Sequence, residues 1–280
     1  QLSAVINRRD PSPAYCRLSR ICAPRNLRRA FTYCTIQLNS SGTQFMFDES
    51  AEYYDLIYSA FKNYDAETAA IADILNGSCA PGSHVLDVGC GTGEHARILS
   101  ERSGYVVDGL DINPAFVDIA RRKLPKASVY VSNMIDFEIP TRYQAIICMF
   151  SSIGYVCTLE NVTRTLIQFR KHLDEKGIVI VEPWFQPSAF AAGRVFHNDA
   201  SVGDTTVSRM GTSTVDGKIS RLQLEYMIGT PGAIKRASET HELGLFTVDE
   251  MTSCFVNAGM NANYDPEGPS GRGLYVATVA

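Results

Sequence analysis

The run Val85-Leu-Asp-Val-Gly-Cys-Gly-Thr-Gly-Glu94 constrains this chain more than any other stretch. An apolar strand (Val85, Leu86, Val88) leads into a loop with glycines at 89, 91 and 93. Glycine lets backbone approach a ligand closely and takes up positive φ without penalty. A helix is expected from Glu94. Tyr105-Val-Val-Asp-Gly-Leu-Asp111 then reads as the next strand, ending in an acid twenty positions after Gly91. A strand, glycine loop, helix and second strand form the βαβ unit of a doubly wound parallel sheet. An acid at the end of the second strand of such a sheet accepts the ribose hydroxyls of an adenosine.

Two adenosine-bearing cofactors meet these terms. Gly91-Thr-Gly93-Glu-His-Ala96 satisfies the loose dinucleotide fingerprint, so NAD must be weighed. Asp87 argues against it, because it stands at the end of the first strand, where a pyrophosphate would lie. An anion is unfavourable beside a carboxylate, whereas the ammonium of a methionine moiety is favoured. Glu94 places a second acid at the helix terminus that a phosphate would use. The acids at 87, 94 and 111 therefore point to S-adenosylmethionine (SAM). A nucleotide cofactor and a purely structural glycine turn are the alternatives.

The 280 residues suffice for one α/β domain with an elaboration. The longest apolar runs, such as Ala145–Phe150, are strand-length and far short of a membrane span. Eight cysteines show no metal-ligand spacing, so no metal is expected, and reduced thiols of a cytoplasmic protein fit better than a disulfide framework. Residues 1–45 differ from the rest: seven arginines, no lysine and the single acid Asp10 give about +6, against about −10 for residues 46–280. That composition suits a transit peptide or an extension preceding a coding start at Met46, and little order is expected before about residue 45. No aromatic interleaving supports a nucleic-acid arm.

From Met46 the pattern predicts helices over about 65–78, 94–103, 114–123 and 160–173, the third capped by Asn113 with Pro114 in its first turn. Strands are predicted at 84–88, 105–110, 129–131, 143–149 and 177–181, which is the alternation of an open parallel sheet. Between about 203 and 245 three alternating strands follow (205–213, 218–228 and 238–245), with Asp216-Gly217 as a hairpin turn. The expected architecture is α/β, a Rossmann-like sheet with an antiparallel meander inserted after strand five, then a helix over 247–258 and a last strand at 274–279. An insertion there covers the ligand end of the sheet, and it offers a homodimer interface as well.

Further positions fall where the pocket should be. Asn133-Met134 follows the third strand, where an amide can bond adenine and a thioether can cover its face, unless this is an ordinary loop. Met149-Phe-Ser151-Ser-Ile-Gly-Tyr155 follows the fourth strand, beside the expected reactive methyl, with the Tyr155 hydroxyl near the acceptor. Trp184, the single tryptophan, is either a wall of the acceptor site or core packing. Gly268-Pro-Ser-Gly-Arg272-Gly273 combines backbone amides with an arginine, suiting a phosphate or carboxylate, or it is a glycine-rich hairpin.

Residues 46–280 resemble class I SAM-dependent methyltransferases, and in particular the TDP-aminosugar N,N-dimethyltransferases of macrolide deoxysugar pathways. Ala51-Glu-Tyr-Tyr-Asp55, Leu86–Gly93, Cys148–Gly154, Val181-Glu-Pro-Trp184 and Gly268–Leu274 carry the likeness. It implies that Tyr54, Gly89, Asp111, Asn133, Met134 and Met149 contact SAM, with Lys62 or Tyr64 near its methionine end and Arg272 on a nucleotide-sugar phosphate. Around the acceptor, with Ser151 and Trp184 as further contacts, the chain departs from the family. Phe47 replaces a tyrosine, Tyr155 a histidine and Phe185 a second tryptophan, while Asp111 replaces a glutamate conservatively. No His, Lys or carboxylate dyad in the sequence presents itself as a base beside Ser151–Tyr155, which favours a neutral amine as nucleophile. The expected reaction is in-line methyl transfer to a small-molecule amine. A glycine-type amine, an O-nucleophile and a non-catalytic SAM-binding role are the alternatives.

Overall fold

The computed structural model describes residues 50–280. The expectations for residues 1–45 and for Phe47 lie outside this range. Strands β1 (His84–Val88), β2 (Val106–Asp111), β3 (Val129–Val131), β4 (Tyr143–Cys148) and β5 (Leu173–Val181) are parallel. They join β10 (Met260–Asp265) and β11 (Leu274–Val279) in a sheet of order β10-β11-β5-β4-β1-β2-β3. Only the last two strands run antiparallel to their neighbours. The order reverses between β1 and β4, and ligands of such sheets bind at that switch point, outside the carboxyl ends of the strands.

The central strands are buried on both faces and therefore read as continuous apolar runs. Leu86, Val88, Ile146, Val179 and Val181 pack towards α5 (Leu159–His172) and α6 (Val248–Asn257). Val85, Ala145, Ile147 and Ile180 face α2 (Tyr64–Asn76), α3 (Glu94–Ser103) and α4 (Pro114–Lys123). Local chemistry sets the helix starts as the sequence predicts. Asn113 Oδ1 accepts from the amides of Ala115 and Phe116, with Pro114 in the first turn. Thr247 and Glu250 close a capping box.

Two elements differ from expectation. The insertion is a separate four-stranded antiparallel sheet, not a three-stranded meander: β6 (Phe196–Val202), β7 (Thr205–Asp216), β8 (Ile219–Thr230) and β9 (Ala233–Gly244). Its edge strand β6 begins before the expected boundary at 203, because polar His197-Asn-Asp199 hides the alternation while the backbone pairs fully with β7. Met260–Asp265, also polar and also at an edge, gave no apolar signal, yet it pairs with β11 throughout. The inserted sheet packs Val207, Leu224, Tyr226, Ile228 and Ala237 against Ile57 of α1 (Tyr54–Ser59).

Candidate active site

The loops after β1 and β4 meet above the switch point. Gly89 adopts φ +70°, and an added Cβ would stand 2.6 Å from Ser152 Cβ. Ser152 Oγ donates to Gly89 O at 3.2 Å and to Met149 O at 2.9 Å, so the two loops are stitched together. Phe150 and Ser151 hold positive φ (52° and 63°) at this junction. For non-glycine residues such geometry costs of order 1–3 kcal/mol, and it persists where surrounding contacts enforce it.

A cleft opens here, lined by Tyr54, Tyr64, Asp87, Gly89, Gly91 and Met149 of the sequence-predicted set. Cys90, Thr92, Glu94, His95, Phe150 and Ser152 complete the lining. Asp87 is buried at its floor, and its Oδ2 has no hydrogen-bond partner. Burial pushes its carboxyl up to about 6, with nearby Asp111 adding to the shift and His95 and Lys62 opposing it. Asp111 itself is held by backbone amides: Gly91 N donates to Oδ2 at 2.8 Å and Asn113 N to Oδ1 at 2.9 Å, with the Ile112 amide adding a third bond.

Gly93, Lys62, Asn133 and Met134, also singled out from the sequence, are not among the lining residues. Gly93 caps α3 in the left-handed region and packs on Ala120 and Leu124. Lys62 is buried in an ion pair with Glu67, which His95 Nε2 also meets at 3.1 Å. The Lys62 ammonium lies 3.8 Å above the Phe150 ring and 4.7 Å from that of Tyr64. Burial lowers its pKa, and Glu67 offsets part of that. Met134 Cε approaches the Cβ position of Gly89 at 3.4 Å, while Asn133 Oδ1 accepts from the amide of Ile135. Glu94 pairs with Arg97 and Lys123 at the helix start.

These groups fit SAM. A buried carboxylate oxygen without a partner suits an ammonium, a glycine at positive φ opens the loop, and an acid ends β2. They do not fit a pyrophosphate, which Asp87 would repel. Residues 85–177 match a methyltransferase-domain family model. A dTDP-3-amino-3,6-dideoxy-alpha-D-glucopyranose N,N-dimethyltransferase of Streptomyces fradiae is 36% identical over 81% of this chain and 89% of its own length. A dTDP-3-amino-3,4,6-trideoxy-alpha-D-glucopyranose N,N-dimethyltransferase of Streptomyces venezuelae is 35% identical over 83% of this chain and 98% of its own length. The chain belongs to the dTDP-aminosugar N,N-dimethyltransferase family of class I SAM-dependent methyltransferases. The crystal structure of Streptomyces venezuelae DesVI superposes with a TM-score of 0.77 at 35% identity, over 82% of this chain and 98% of that one. A SAM-bound amino pentose methyltransferase from Micromonospora echinaspora gives 0.72 at 28% identity, over 86% and 100%.

For a methyltransferase of this family the state of Asp87 has a pH signature. Its folded-state pKa of about 6 lies above the ordinary 3.8. Between roughly pH 4 and pH 6 the folded chain therefore binds more protons than the unfolded chain, and this group's contribution to stability falls as pH rises. A bound ammonium reverses the preference by favouring the carboxylate. SAM affinity measured by calorimetry should thus strengthen as pH rises through about 6 and then level off. Asp87→Asn should flatten that dependence and weaken binding at neutral pH by roughly 10–100-fold, the worth of one charge-assisted hydrogen bond. Unchanged affinity in that variant would exclude Asp87 from the methionine end.

On the other side of the β4 loop lie the predicted acceptor residues. Arg272 Nη1 donates to Ser151 Oγ at 2.9 Å and reaches Glu182 Oε1 at 3.4 Å. Its guanidinium lies 5.1 Å from the Phe150 ring and 5.7 Å from those of Trp184 and Phe185. The glycine-rich segment is the hairpin connection between β10 and β11, and its Arg272 packs on Ser151 and Glu182. Trp184 Nε1 donates to Ser220 Oγ of β8 at 2.9 Å, and its ring packs on Phe185 at 4.7 Å.

Tyr155 lies on a 3₁₀ turn, Ser152–Val156, wedged against the insertion: a methyl on Gly154 would stand 3.1 Å from both Leu243 and Trp184. The absence of a base near this loop, expected from sequence, is corrected here. Tyr155 Oη lies 3.2 Å from His241 Nδ1, and His241 Nε2 lies 3.4 Å from Glu239 Oε2. Sequence reasoning also missed Glu182, fully buried beneath Arg272, and Arg209, buried 4.9 Å from the Tyr58 ring. A polar residue at an otherwise inward-facing strand position was the available signal for each.

Proposed function

We propose that this protein methylates the amino group of a nucleotide-linked aminosugar. The observation that carries this reading is the juxtaposition of two half-sites across the β4 loop: the unpartnered Asp87 carboxylate on one side, and Arg272 framed by Phe150, Trp184 and Phe185 on the other. Its curated relatives are named as acting on dTDP-linked aminosugars, which supports the same acceptor class.

Tyr54, Asp87, Gly89, Gly91 and Met149 would hold the cofactor, with Asp111, Asn133 and Met134 at its adenosine end and Lys62, Tyr64 and Gly93 supporting the loop. When bound, SAM supplies a methyl group already activated by a sulfonium. The chain's own residues then mainly align the acceptor. Positioning of this sort contributes on the order of 7–11 kcal/mol in well-oriented systems. Arg272 would take the pyrophosphate, using donors beyond the one it gives Ser151 and Glu182. Trp184 would wall the sugar, and Tyr155 would meet its amine.

Reduced cysteines, five of them free among the described residues, support a cytoplasmic setting. No helix among the described residues is long and apolar enough to cross a membrane. The insertion's outer face, with Met210, Met227 and Ile234 exposed, supports a homodimer.

The reading is tested by incubating the full chain with labelled SAM and a panel of dTDP-aminosugars, glycine-type amines and phenols. Transfer to the sugars alone is expected; transfer only to another class overturns it. In the same assay Tyr155→Phe should slow transfer while leaving SAM affinity nearly unchanged. A large loss of SAM binding in that variant would remove Tyr155 from the acceptor side.

A further inference from the structure

We propose that Tyr155, His241 and Glu239 form a proton relay that takes the proton from the acceptor amine. The proposal rests on the aminosugar reading above and adds a base to it. The inserted strand β9 buries alternate residues, Ala237, Glu239, His241 and Leu243, on the face turned towards the core. Two polar residues in a stripe that would ordinarily be apolar require a reason. His241 Nδ1 meets Tyr155 Oη at 3.2 Å and its Nε2 meets Glu239 Oε2 at 3.4 Å. Both distances are compatible with one tautomer, in which Nε2–H donates to the carboxylate and Nδ1 accepts from the phenol. Glu239 Oε1 is buried without a hydrogen-bond partner, so much of that carboxylate's charge is left to act on the imidazole. This order of hydroxyl, imidazole and carboxylate is that of a catalytic triad, with tyrosine in place of serine.

An amine reaches the site largely as an ammonium, which has no lone pair to give. In the relay an N–H bond of the ammonium breaks and its proton passes to Tyr155 Oη. The tyrosine's own proton passes to His241 Nδ1, and Glu239 stabilises the resulting imidazolium. The freed lone pair is then available to form the N–C bond, and His241 later returns its proton to solvent. Every methylation leaves a new ammonium, so a second methylation needs the relay again. Burial holds the Tyr155 hydroxyl well above its ordinary pKa, with Tyr58, Tyr226, Glu239 and Asp111 adding to the shift. It therefore acts as a conduit and not as a standing phenolate. The charged or titratable groups facing the relay are Tyr54 and Tyr58 from α1, Arg209 from β7, Tyr226 from β8, Glu239 from β9 and Asp111 from β2.

The test uses the full chain with SAM and dTDP-3-amino-3,6-dideoxyglucose. At about pH 7 His241→Gln should lose about 100-fold in kcat/KM, the usual worth of a positioned base, and the deficit should shrink to within about threefold near pH 10, where the free amine is abundant. Tyr155→Phe should lose a similar factor, and the double variant little more than either alone. Glu239→Gln, which keeps the shape of the side chain, guards against a folding defect and should show the same pH-dependent deficit with unchanged SAM affinity. A readout without turnover is the ¹⁵N resonance of His241 Nδ1, which should move in Tyr155→Phe. A His241→Gln enzyme with the wild-type pH profile, additive losses in the double variant, or an unmoved resonance would overturn the relay. Wild-type enzyme that methylates no aminosugar overturns the substrate reading instead, and the relay is then decided by the same variants and pH series on the amine that the enzyme does methylate.

Discussion

Glu182→Ala should lower the melting temperature by roughly 10 °C, since breaking a buried ion pair costs about 3–5 kcal/mol. Glu182 is fully buried at the end of β5 and is where three separate segments meet. Phe150 N donates to its Oε2 at 2.6 Å, Ser270 Oγ donates to its Oε1, and Arg272 Nη1 approaches the same oxygen at 3.4 Å. Removing the carboxylate leaves the Phe150 amide unpaired and the Arg272 guanidinium without its buried counter-ion. The strained turn at Phe150 and Ser151 also loses the bond that holds it. Methyl transfer should fall with stability, because the same turn lies between Met149 and Tyr155, the residues proposed above for the cofactor and the acceptor. Scanning calorimetry decides the point, and a shift below about 2 °C would show that the pair is energetically idle. Glu182→Gln keeps an oxygen for the amide and should lose less.

Gly89→Ala should abolish measurable SAM binding while costing only a few kcal/mol of stability. The left-handed backbone costs an alanine about 1–2 kcal/mol. The new methyl would also stand 2.6 Å from Ser152 Cβ and 2.8 Å from Ser152 Oγ. Relief requires the β1 and β4 loops to part, and the cleft that both loops line is lost with them. Gly104→Ala separates the two effects. Gly104 has nearly the same φ, +71°, but nothing lies within 4 Å of its Cβ position. That variant should pay the backbone cost alone and bind SAM as the wild type does. Equal SAM affinity in both variants would show that the loop contact plays no part in the site.

The cofactor half of the site was legible in the sequence because it is built locally. Asp87 lies at the end of β1, Gly89 and Gly91 follow it within a few residues, and Asp111 ends β2. Their placement follows from β1 and β2 being adjacent and parallel, which the βαβ pattern already implies. The residues proposed for the acceptor side were legible only as fragments. Tyr155, Trp184 and Arg272 were singled out from three separate segments, but nothing in those segments names the groups that hold them. Glu182 looked like part of a tryptophan motif, not the counter-ion of Arg272, ninety positions away. His241 and Glu239 sat in a strand whose polar residues fall on both faces, so alternation alone did not mark which face was inward.

The sequence by itself determined the parallel sheet, the glycine loop and the acids that discriminate a sulfonium amino acid from a pyrophosphate. Each of these depends on contacts between neighbours in the chain or between adjacent strands. Only the tertiary structure decided that Arg272 rests on a buried glutamate and that the insertion brings a histidine to the Tyr155 hydroxyl. Those contacts join residues 86 and 90 positions apart. The first is set by how the inserted sheet packs on the turn after β4 and the second by the pairing of β11 with β5, and no local periodicity encodes either.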